Sequence, residues 1–315
     1  MLNGVLFFPV TPFDDDDRVA LDVLRQHLEA GIAFSPGGIF IACGTGEFHA
    51  LAPDEFAAVV TTAVEVTAGR VPVFVGVGGP VALARQYAHV AADAGADGIL
   101  LLPPYLVTGP TSGLVAYVTA IAGETELPLI VYHRGNARFT VESAVEVAQL
   151  ETVVGFKDGV GDLDLMSRIV LAVRDSLAGS GKSFQFFNGL PTAESSQAAY
   201  RAIGVDLYSS ATFAFAPAIA VAFYGALERD DRVLVDALSR EFFHPVVRLR
   251  DRVPGYAVSL VKAGAQLTGV ASGHVRAPLI DMSAEHREEL ATILAAGLRV
   301  LEDHNLPTGS PALTR

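Results

Sequence analysis

The sequence predicts an α/β protein built as a (β/α)8 barrel, the TIM-barrel fold, followed by a C-terminal helical extension. Short apolar runs alternate with segments of helical periodicity over more than two hundred residues, and this alternation stops near Arg229. The runs are rich in Val, Leu and Ala, as expected of strands in a parallel sheet that helices cover on both faces. A doubly wound sheet, the alternative, needs fewer strands.

Eight strands are predicted, and a segment with a helical period follows each of them. Eight βα units in succession, with no second class of segment between them, favour a closed barrel over an open sheet. The predicted strands are Val5–Val10, Gly38–Ala42, Val71–Gly76, Gly98–Leu102, Leu129–Tyr132, Val153–Lys157, Phe184–Phe187 and Val205–Tyr208.

Two of the helical segments carry start signals as well as an apolar stripe. One begins at Pro53, has acidic residues in its first turn, and repeats apolar side chains at helical spacing at Phe56, Val59, Val60, Ala63 and Val64. Another follows Asp162, a predicted N-cap, with its stripe at Met166, Ile169, Val170 and Val173.

The region after the barrel is predicted to be helical near 230–251, 256–268 and 283–303, with breaks at Pro254-Gly255 and near Gly273. The predicted organisation is therefore a catalytic barrel over 1–228, a helical extension packed on it over 229–304, and a loose tail over 305–315. The acidic run Asp14–Asp17 is predicted to be a solvated loop that leads into a helix.

Composition excludes several classes of function. Mean hydropathy is +0.40, yet no apolar stretch reaches the roughly 18–20 residues that span a bilayer, so no membrane association is expected. A net charge of −13 argues against nucleic-acid binding. The N-terminus lacks the pattern of a signal peptide, and the single Cys43 excludes an internal disulfide. We therefore expect a cytoplasmic protein.

Lysine is rare in this chain, and the position of one lysine suggests chemistry. Only three of the 22 basic residues Lys and Arg are lysines, and Lys157 ends the apolar run Val153–Lys157. Unlike arginine, a desolvated lysine loses its proton readily and attacks carbonyl groups. The structural alternative is a strand-end lysine that extends its amine to solvent.

Active sites of such barrels lie where the strands end, which selects a short list of side chains. Lys157 is the predicted nucleophile that forms an iminium, and Tyr132 at the end of the preceding strand is the predicted proton relay. The turn Gly44-Thr45-Gly46 is predicted to bind a carboxylate through its main-chain N–H groups and the Thr45 hydroxyl. The remaining candidates for substrate binding are Arg134, Asn188, Ser209 and Ser210.

Each candidate also has a purely structural reading, and only their shared position at strand ends favours function. A strand-end tyrosine packs commonly, Gly-Thr-Gly is often a tight turn, and small residues fill barrels. Two glycine-rich segments, Gly76–Gly79 and Gly179–Ser183, lack the spacing of nucleotide-binding loops. No histidine pair has zinc-ligand spacing, so no metal is predicted.

The motifs resemble those of the dihydrodipicolinate synthase and N-acetylneuraminate lyase superfamily over essentially the whole chain. They are Phe8–Phe13, the Gly-Thr-Gly-Glu turn at 44–47, Tyr132 and Gly155–Asp158. The resemblance implies a Schiff-base (β/α)8 barrel with a C-terminal helical extension. It further implies no cofactor beyond the covalent iminium at Lys157, and a homo-oligomer, specifically a homotetramer built from dimers.

Departures from the synthase pattern narrow the implied substrate. Gly44 stands where synthases carry the first threonine of Gly-Thr-Thr-Gly-Glu, and Leu106 stands where they carry a second tyrosine that reaches a neighbouring subunit. Together with Tyr-His-Arg-Gly-Asn at 132–136, these motifs resemble the branch that acts on 5-dehydro-4-deoxyglucarate. That branch converts the keto sugar diacid to 2,5-dioxopentanoate with loss of water and carbon dioxide.

Two alternatives remain open from the sequence. A 2-keto-3-deoxy sugar acid aldolase would use the same Lys157 iminium but break a carbon–carbon bond. A non-catalytic sugar-acid sensor would keep the barrel, although it has no need of an imine-forming amine.

Overall fold

The computed structural model describes residues 1–105 and 107–309. Leu106, which replaces the cross-subunit tyrosine of the synthases, lies outside the described residues, and so do residues 310–315 of the predicted tail. The described part of that tail, 305–309, contains no helix or strand. No described helix has the length and apolar character needed to cross a membrane.

Eight strands form a closed barrel in sequence order, which confirms the predicted fold class. They are β1 Leu6–Phe7, β2 Gly38–Ile41, β3 Val73–Val77, β4 Gly98–Leu101, β5 Leu129–His133, β6 Val153–Asp158, β7 Gln185–Asn188 and β8 Leu207–Ser210. Recorded pairings between consecutive strands are parallel, for example β5 with β6 and β6 with β7. The largest boundary difference is at β1, which is shorter than predicted because Pro9 has no N–H to donate to a ladder.

Among the described residues, a helix follows each strand, and four more helices follow the last barrel helix. They are α1 Leu21–Ile32, α2 Pro53–Thr67, α3 Val81–Asp93, α4 Thr111–Ala122, α5 Val141–Ala148, α6 Leu163–Leu177, α7 Glu194–Ala202, α8 Pro217–Glu228, α9 Arg232–Leu238, α10 His244–Arg250, α11 Tyr256–Leu267 and α12 Ala284–Asp303. A π-helical turn, Ser239–Phe243, joins α9 to α10. The helical segments predicted after the barrel are therefore present.

Helix start signals read from the sequence act as predicted. The Asp162 side chain accepts a hydrogen bond from the Leu165 N–H at 3.0 Å, which caps α6. Glu55, in the first turn of α2, accepts from the Ala52 N–H at 3.0 Å. The predicted stripe of α6 is buried, at Met166, Ile169, Val170 and Val173. In α2, Phe56, Val59, Val60 and Ala63 are buried, whereas Val64, also predicted to belong to the stripe, is only half-buried.

The chain forms two compact units. The first contains Met1–Asn3 and Pro72–Ser209, and the second contains Gly4–Val71 and the chain from Ser210 onward. The division of the sequence at residue 228 stays a prediction.

Within the first unit, the register of β5 to β8 decides which side chains share a face. Tyr132 pairs with Lys157, and Lys157 pairs with Phe187. Residues that pair across neighbouring strands point to the same face of the sheet, so Tyr132 and Lys157 lie on one face. Successive side chains along a strand point to opposite faces. His133, Asp158 and Asn188, each one position further along its strand, lie on the other.

Candidate active site

The centre of the first unit's candidate site is a buried amine beside a phenol. Lys157 near the end of β6 is only 4% exposed, and Tyr132 of β5 is 7% exposed. The Lys157 Nζ lies 4.5 Å from the centroid of the Tyr132 ring. The structure therefore brings together the two residues predicted to carry the chemistry.

Two hydrogen bonds fix the Tyr132 hydroxyl. It donates to the main-chain carbonyl of Gly189 at 2.7 Å, and it accepts from Nη1 of Arg134 at 2.8 Å. A phenol oxygen that accepts from a guanidinium is better able to carry negative charge. This arrangement suits a group that gives up a proton and takes it back. The contact of the exposed Arg134 with the Tyr132 hydroxyl was not predicted from the sequence.

Glycines allow the strand ends to pack closely around this pair. A Cβ added at Gly189 would lie 2.6 Å from Lys157 Cε and 2.8 Å from Tyr132 Cε2. A Cβ added at Gly159 would lie 2.8 Å from the same tyrosine carbon. Gly189 has no positive φ, so the requirement for glycine there is the close approach of the two side chains.

Replacing Gly189 by alanine is expected to displace the Lys157 side chain and lower kcat about 10²-fold, the usual cost of misplacing a reacting group by about 1 Å. Steady-state kinetics and a thermal melt would separate lost activity from lost fold. Gly123→Ala is the matched control, because a Cβ there meets only the Thr119 carbonyl oxygen at 3.5 Å. Wild-type kcat in Gly189→Ala would contradict this reading of the packing.

Asn188, predicted to bind substrate, is occupied by its own loop. Its Nδ2, which carries two hydrogens, lies within hydrogen-bond distance of three acceptors, Ala193 O at 3.1 Å, Ser196 Oγ at 3.0 Å and Gln197 Oε1 at 3.2 Å. Its Oδ1 accepts from the Leu190 N–H at 3.1 Å. The register also places it on the face opposite Lys157. The geometry favours a role for Asn188 in fixing the loop between β7 and α7 over contact with a substrate.

The Asp158 carboxylate lies on the same face as Asn188, although in the sequence Asp158 stands out only as the last residue of the Gly155–Asp158 motif. Oδ1 accepts from the Val160 N–H at 2.8 Å, and Oδ2 accepts from the Tyr200 hydroxyl at 2.5 Å. Burial, and next the hydrogen bond to Asp158, raises the pKa of Tyr200. Asp158 therefore orders the chain directly after Lys157.

His133 lies beside Asp158 in the register and is also buried. Its Nδ1 accepts from the Phe139 N–H at 2.9 Å. Burial lowers the pKa of His133, so the ring is a neutral group that ties down the chain after β5.

The two serines at the end of β8 have different surroundings. The Ser209 hydroxyl lies 3.4 Å from the Asn188 carbonyl oxygen, and the strand alternation places Ser209 on the Lys157 face. The buried Ser210, in the second unit, accepts from the Phe213 N–H at 3.1 Å at the start of a short 3-10 helix. Of the two, Ser209 is the better candidate for substrate contact.

The second unit contains the predicted carboxylate-binding turn after β2. Among the described residues, the main-chain N–H groups of Gly44, Thr45 and Gly46 have no hydrogen-bond acceptor. The turn is closed around them by bonds from Glu47 N to Gly44 O and from Phe48 N to Cys43 O. Three consecutive free N–H groups are a suitable site for an anion.

Over 1–105 and 107–309, no three His, Cys, Asp or Glu side chains are grouped as metal ligands would be.

Comparison with known proteins gives one family. The model of the dihydrodipicolinate synthetase family matches residues 1–297. Solved structures of dihydrodipicolinate synthases share the fold. One from Bacillus anthracis has a TM-score of 0.83 at 23% identity, covering 94% of this chain and 99% of that one. One from Thermotoga maritima has a TM-score of 0.84 at 23% identity, with the same coverage.

Relatives of higher identity carry a different name. A Streptomyces coelicolor protein named probable 5-dehydro-4-deoxyglucarate dehydratase 1 is 53% identical over 301 residues, which are 96% of this chain and 95% of the relative. A Streptomyces griseus protein named probable 5-dehydro-4-deoxyglucarate dehydratase is 54% identical over 96% of this chain and 93% of its own length. A Paracidovorax citrulli protein of that name is 43% identical over 93% of this chain and 95% of its own length.

Proposed function

This chain belongs to the dihydrodipicolinate synthetase family, and from that premise we propose that it converts 5-dehydro-4-deoxyglucarate to 2,5-dioxopentanoate, water and carbon dioxide. The observation that carries the proposal is the buried Lys157 amine against Tyr132, whose hydroxyl is held by Arg134 and Gly189. The names of relatives at 53% and 54% identity support the substrate.

In the proposed reaction, the Lys157 amine attacks the substrate ketone and water leaves as the iminium forms. The iminium withdraws electrons, so the neighbouring methylene loses a proton to a base and becomes an enamine. The enamine expels the hydroxyl on the next carbon as water and leaves a conjugated iminium. Electrons of the bond to the distal carboxylate then flow into that iminium as carbon dioxide departs. Reprotonation and hydrolysis release 2,5-dioxopentanoate and the free amine.

Tyr132 is the proposed proton carrier for these steps. Iminium formation and hydrolysis each need protons delivered to and removed from an oxygen, and a phenol beside the amine can do both. The Arg134 guanidinium stabilises the phenolate formed when the proton leaves. The Gly189 carbonyl fixes the direction of the O–H bond before reaction.

A substrate with two carboxylates needs two anion-binding groups. We assign one to the free N–H groups of Gly44, Thr45 and Gly46, together with the Thr45 hydroxyl. The other is assigned to Arg134, whose guanidinium has donors beyond the one given to Tyr132, and to Ser209, which lies on the Lys157 face. Ser210 and Asn188 belong to the proposed site as supports of its loops, since their side chains bind main-chain groups.

Truncating Arg134 is expected to affect both binding and turnover. In Arg134→Ala the KM for the diacid should rise about 10-fold or more, since a hydrogen bond to a charged group contributes about 1.5–3 kcal/mol. The kcat should also fall, because Tyr132 loses its donor. Arg168→Ala, which removes an exposed ion pair with Asp164, is the control. An unchanged KM would remove Arg134 from substrate binding.

The proposed chemistry uses no cofactor, since the covalent iminium at Lys157 acts as the electron sink. We further propose a cytoplasmic enzyme that assembles as a homo-oligomer, a tetramer built from dimers. Because Leu106 replaces the tyrosine by which synthases complete a neighbour's site, each site would be self-contained.

The aldolase and the sensor, left open by the sequence, are not favoured. An aldolase would share Lys157 and Tyr132, but the relatives that cover 93–96% of this chain are named as dehydratases. A sensor does not explain a lysine that is buried against a tyrosine.

The proposal is tested by incubating the enzyme with 5-dehydro-4-deoxyglucarate and measuring both products. Equal amounts of 2,5-dioxopentanoate and carbon dioxide are expected, and neither should form with Lys157→Met. Pyruvate release would show the aldolase instead, and binding without turnover would show the sensor.

A further inference from the structure

Glu47, the residue directly after the carboxylate-binding turn, has an unusual backbone and environment. Its φ of 54° and ψ of 41° lie in the left-handed region, which a side chain other than glycine adopts only when its surroundings hold it there. The side chain is fully buried. A carboxylate in such a position needs partners for both oxygens.

One partner is Lys262 of α11, which is 215 residues away in the chain and 1% exposed. Its Nζ donates to Glu47 Oε1 at 2.6 Å and to the His274 carbonyl at 2.5 Å. Burial lowers the pKa of Lys262, and the charge of Glu47 acts in the opposite direction. The other carboxylate oxygen, Oε2, accepts from the main-chain N–H of Arg276 at 2.9 Å.

Arg276 extends these contacts to the start of α2 and the acidic loop. Its guanidinium donates to both oxygens of Glu55 at 2.6 and 2.7 Å, and its Nε donates to Asp17 Oδ1 at 2.9 Å. The bonds to Arg276 lower the pKa of both carboxyl groups. The sequence predicted that Asp17 lies in a solvated loop, and its carboxylate in addition forms an ion pair with Arg276.

The Phe8–Phe13 motif supplies two further contacts to the same region. The Thr11 hydroxyl donates to the Gly46 carbonyl at 2.7 Å, so it holds the turn directly. The Phe13 ring has the Lys262 Nζ and the Arg276 Cζ each 4.0 Å from its centroid, distances at which a cation is attracted to an aromatic face. Lys262 and Arg276 are therefore held beside the turn by the Phe13 ring as well as by their ion pairs.

We propose that the buried Glu47–Lys262 ion pair is a positioning pair for the reaction: by holding Glu47 in its left-handed conformation, it sets the direction of the free N–H groups of Gly44, Thr45 and Gly46. The proposal rests on the proposed function for the identity of the anion these groups bind. It assigns to Glu47 and Lys262 no contact with substrate.

The pair is well suited to set direction and poorly suited to add stability. Replacing a buried ion pair by apolar residues of similar size is often neutral or stabilising, whereas removal of one partner leaves a costly buried charge. A double variant that removes both charges leaves neither charge buried alone, so it can recover its fold while residue 47 loses its contact with residue 262.

The test compares Glu47→Gln, Lys262→Met and the double variant Glu47→Gln/Lys262→Met with the wild type. Thermal melting reports the fold, and steady-state kinetics with 5-dehydro-4-deoxyglucarate reports kcat and KM separately. Hydrogen exchange of the peptide covering 38–51 reports the order of the turn. Lys182→Met is the matched control, because Lys182 belongs to the first unit and donates to the Ala148 and Leu150 carbonyls.

The double variant is expected to melt near the wild-type temperature, with KM raised about 10²-fold and kcat within about three-fold, because a turn that binds ground state and transition state alike affects KM alone. Exchange at 38–51 should accelerate at least about ten-fold, while peptides that contain neither a substituted residue nor its partners His274 and Arg276 stay unchanged. A wild-type value for either KM or exchange in the double variant would overturn the proposal, since the pair would then serve stability only.

Failure of the proposed function would be seen separately. If the wild type does not turn over 5-dehydro-4-deoxyglucarate, that assignment falls, and the exchange of 38–51 alone decides whether Glu47 and Lys262 position the turn. If a single variant does not fold, the double variant still gives both readouts.

Discussion

Lys157→Met is expected to abolish turnover, with kcat lowered on the order of 10⁴-fold or more, as for the loss of other covalent nucleophiles. Methionine keeps an unbranched side chain of similar length at this buried position but cannot form an imine. Because the volume of the buried side chain is nearly kept, the variant is expected to fold.

Product formation from 5-dehydro-4-deoxyglucarate measures the effect, and a thermal melt confirms the fold. Lys182→Met is again the control, since it loses a lysine that donates to the Ala148 and Leu150 carbonyls, outside the proposed site, and it should turn over normally. Residual activity within ten-fold of the wild type in Lys157→Met would show that the reaction does not pass through an imine at this residue.

Tyr132→Phe is expected to lower kcat by about 10²–10⁴-fold, the range for loss of a general acid–base group. The ring that lies under Lys157 is kept, so the packing is preserved, while the hydroxyl that binds Gly189 and Arg134 is removed. The KM should change little, because the phenol acts on protons and binds neither carboxylate.

Tyr87→Phe provides the comparison, since it removes a hydroxyl from a buried tyrosine of α3 outside the proposed site. Steady-state kinetics over a range of pH would measure both variants. A kcat for Tyr132→Phe equal to that of Tyr87→Phe would assign proton transfer to another group.

The barrel could be predicted because its signals are local. Each strand is a short apolar run, and each helix has its own period and start residues, as at Pro53 and Asp162. The ends of strands are harder to predict from local signals. The apolar run at β1 continues to Val10, yet the strand has only two residues. Apolar side chains alone do not show where a proline removes a hydrogen bond between strands.

Lys157 and Tyr132 could be predicted as partners because both stand near the ends of adjacent strands. For Asn188 the position along the strand was not enough. Its pairing with Asp158, one residue past Lys157, places it on the other face, and that register becomes visible only when the strands are aligned. The next residue of the chain that points to the Lys157 face is two positions after Phe187, at Gly189, whereas Asn188 is only one position after it.

The contacts of Glu47 could not be predicted, because they depend on distant parts of the chain. Nothing in the helical stretch around Lys262 marks it as the partner of a residue 215 positions away. A weak signal did exist: a chain with only three lysines places one in the middle of an apolar helix, and a buried lysine needs an acid.

The covalent intermediate at Lys157 is the central claim, and borohydride trapping tests it most directly. The enzyme would be reduced during turnover of 5-dehydro-4-deoxyglucarate, and the product examined by intact mass and peptide mapping. An adduct on Lys157 that lacks the elements of water and carbon dioxide is the predicted result. A pyruvyl-sized adduct would mean an aldolase, and no adduct under conditions that trap a known Schiff-base enzyme would contradict the mechanism.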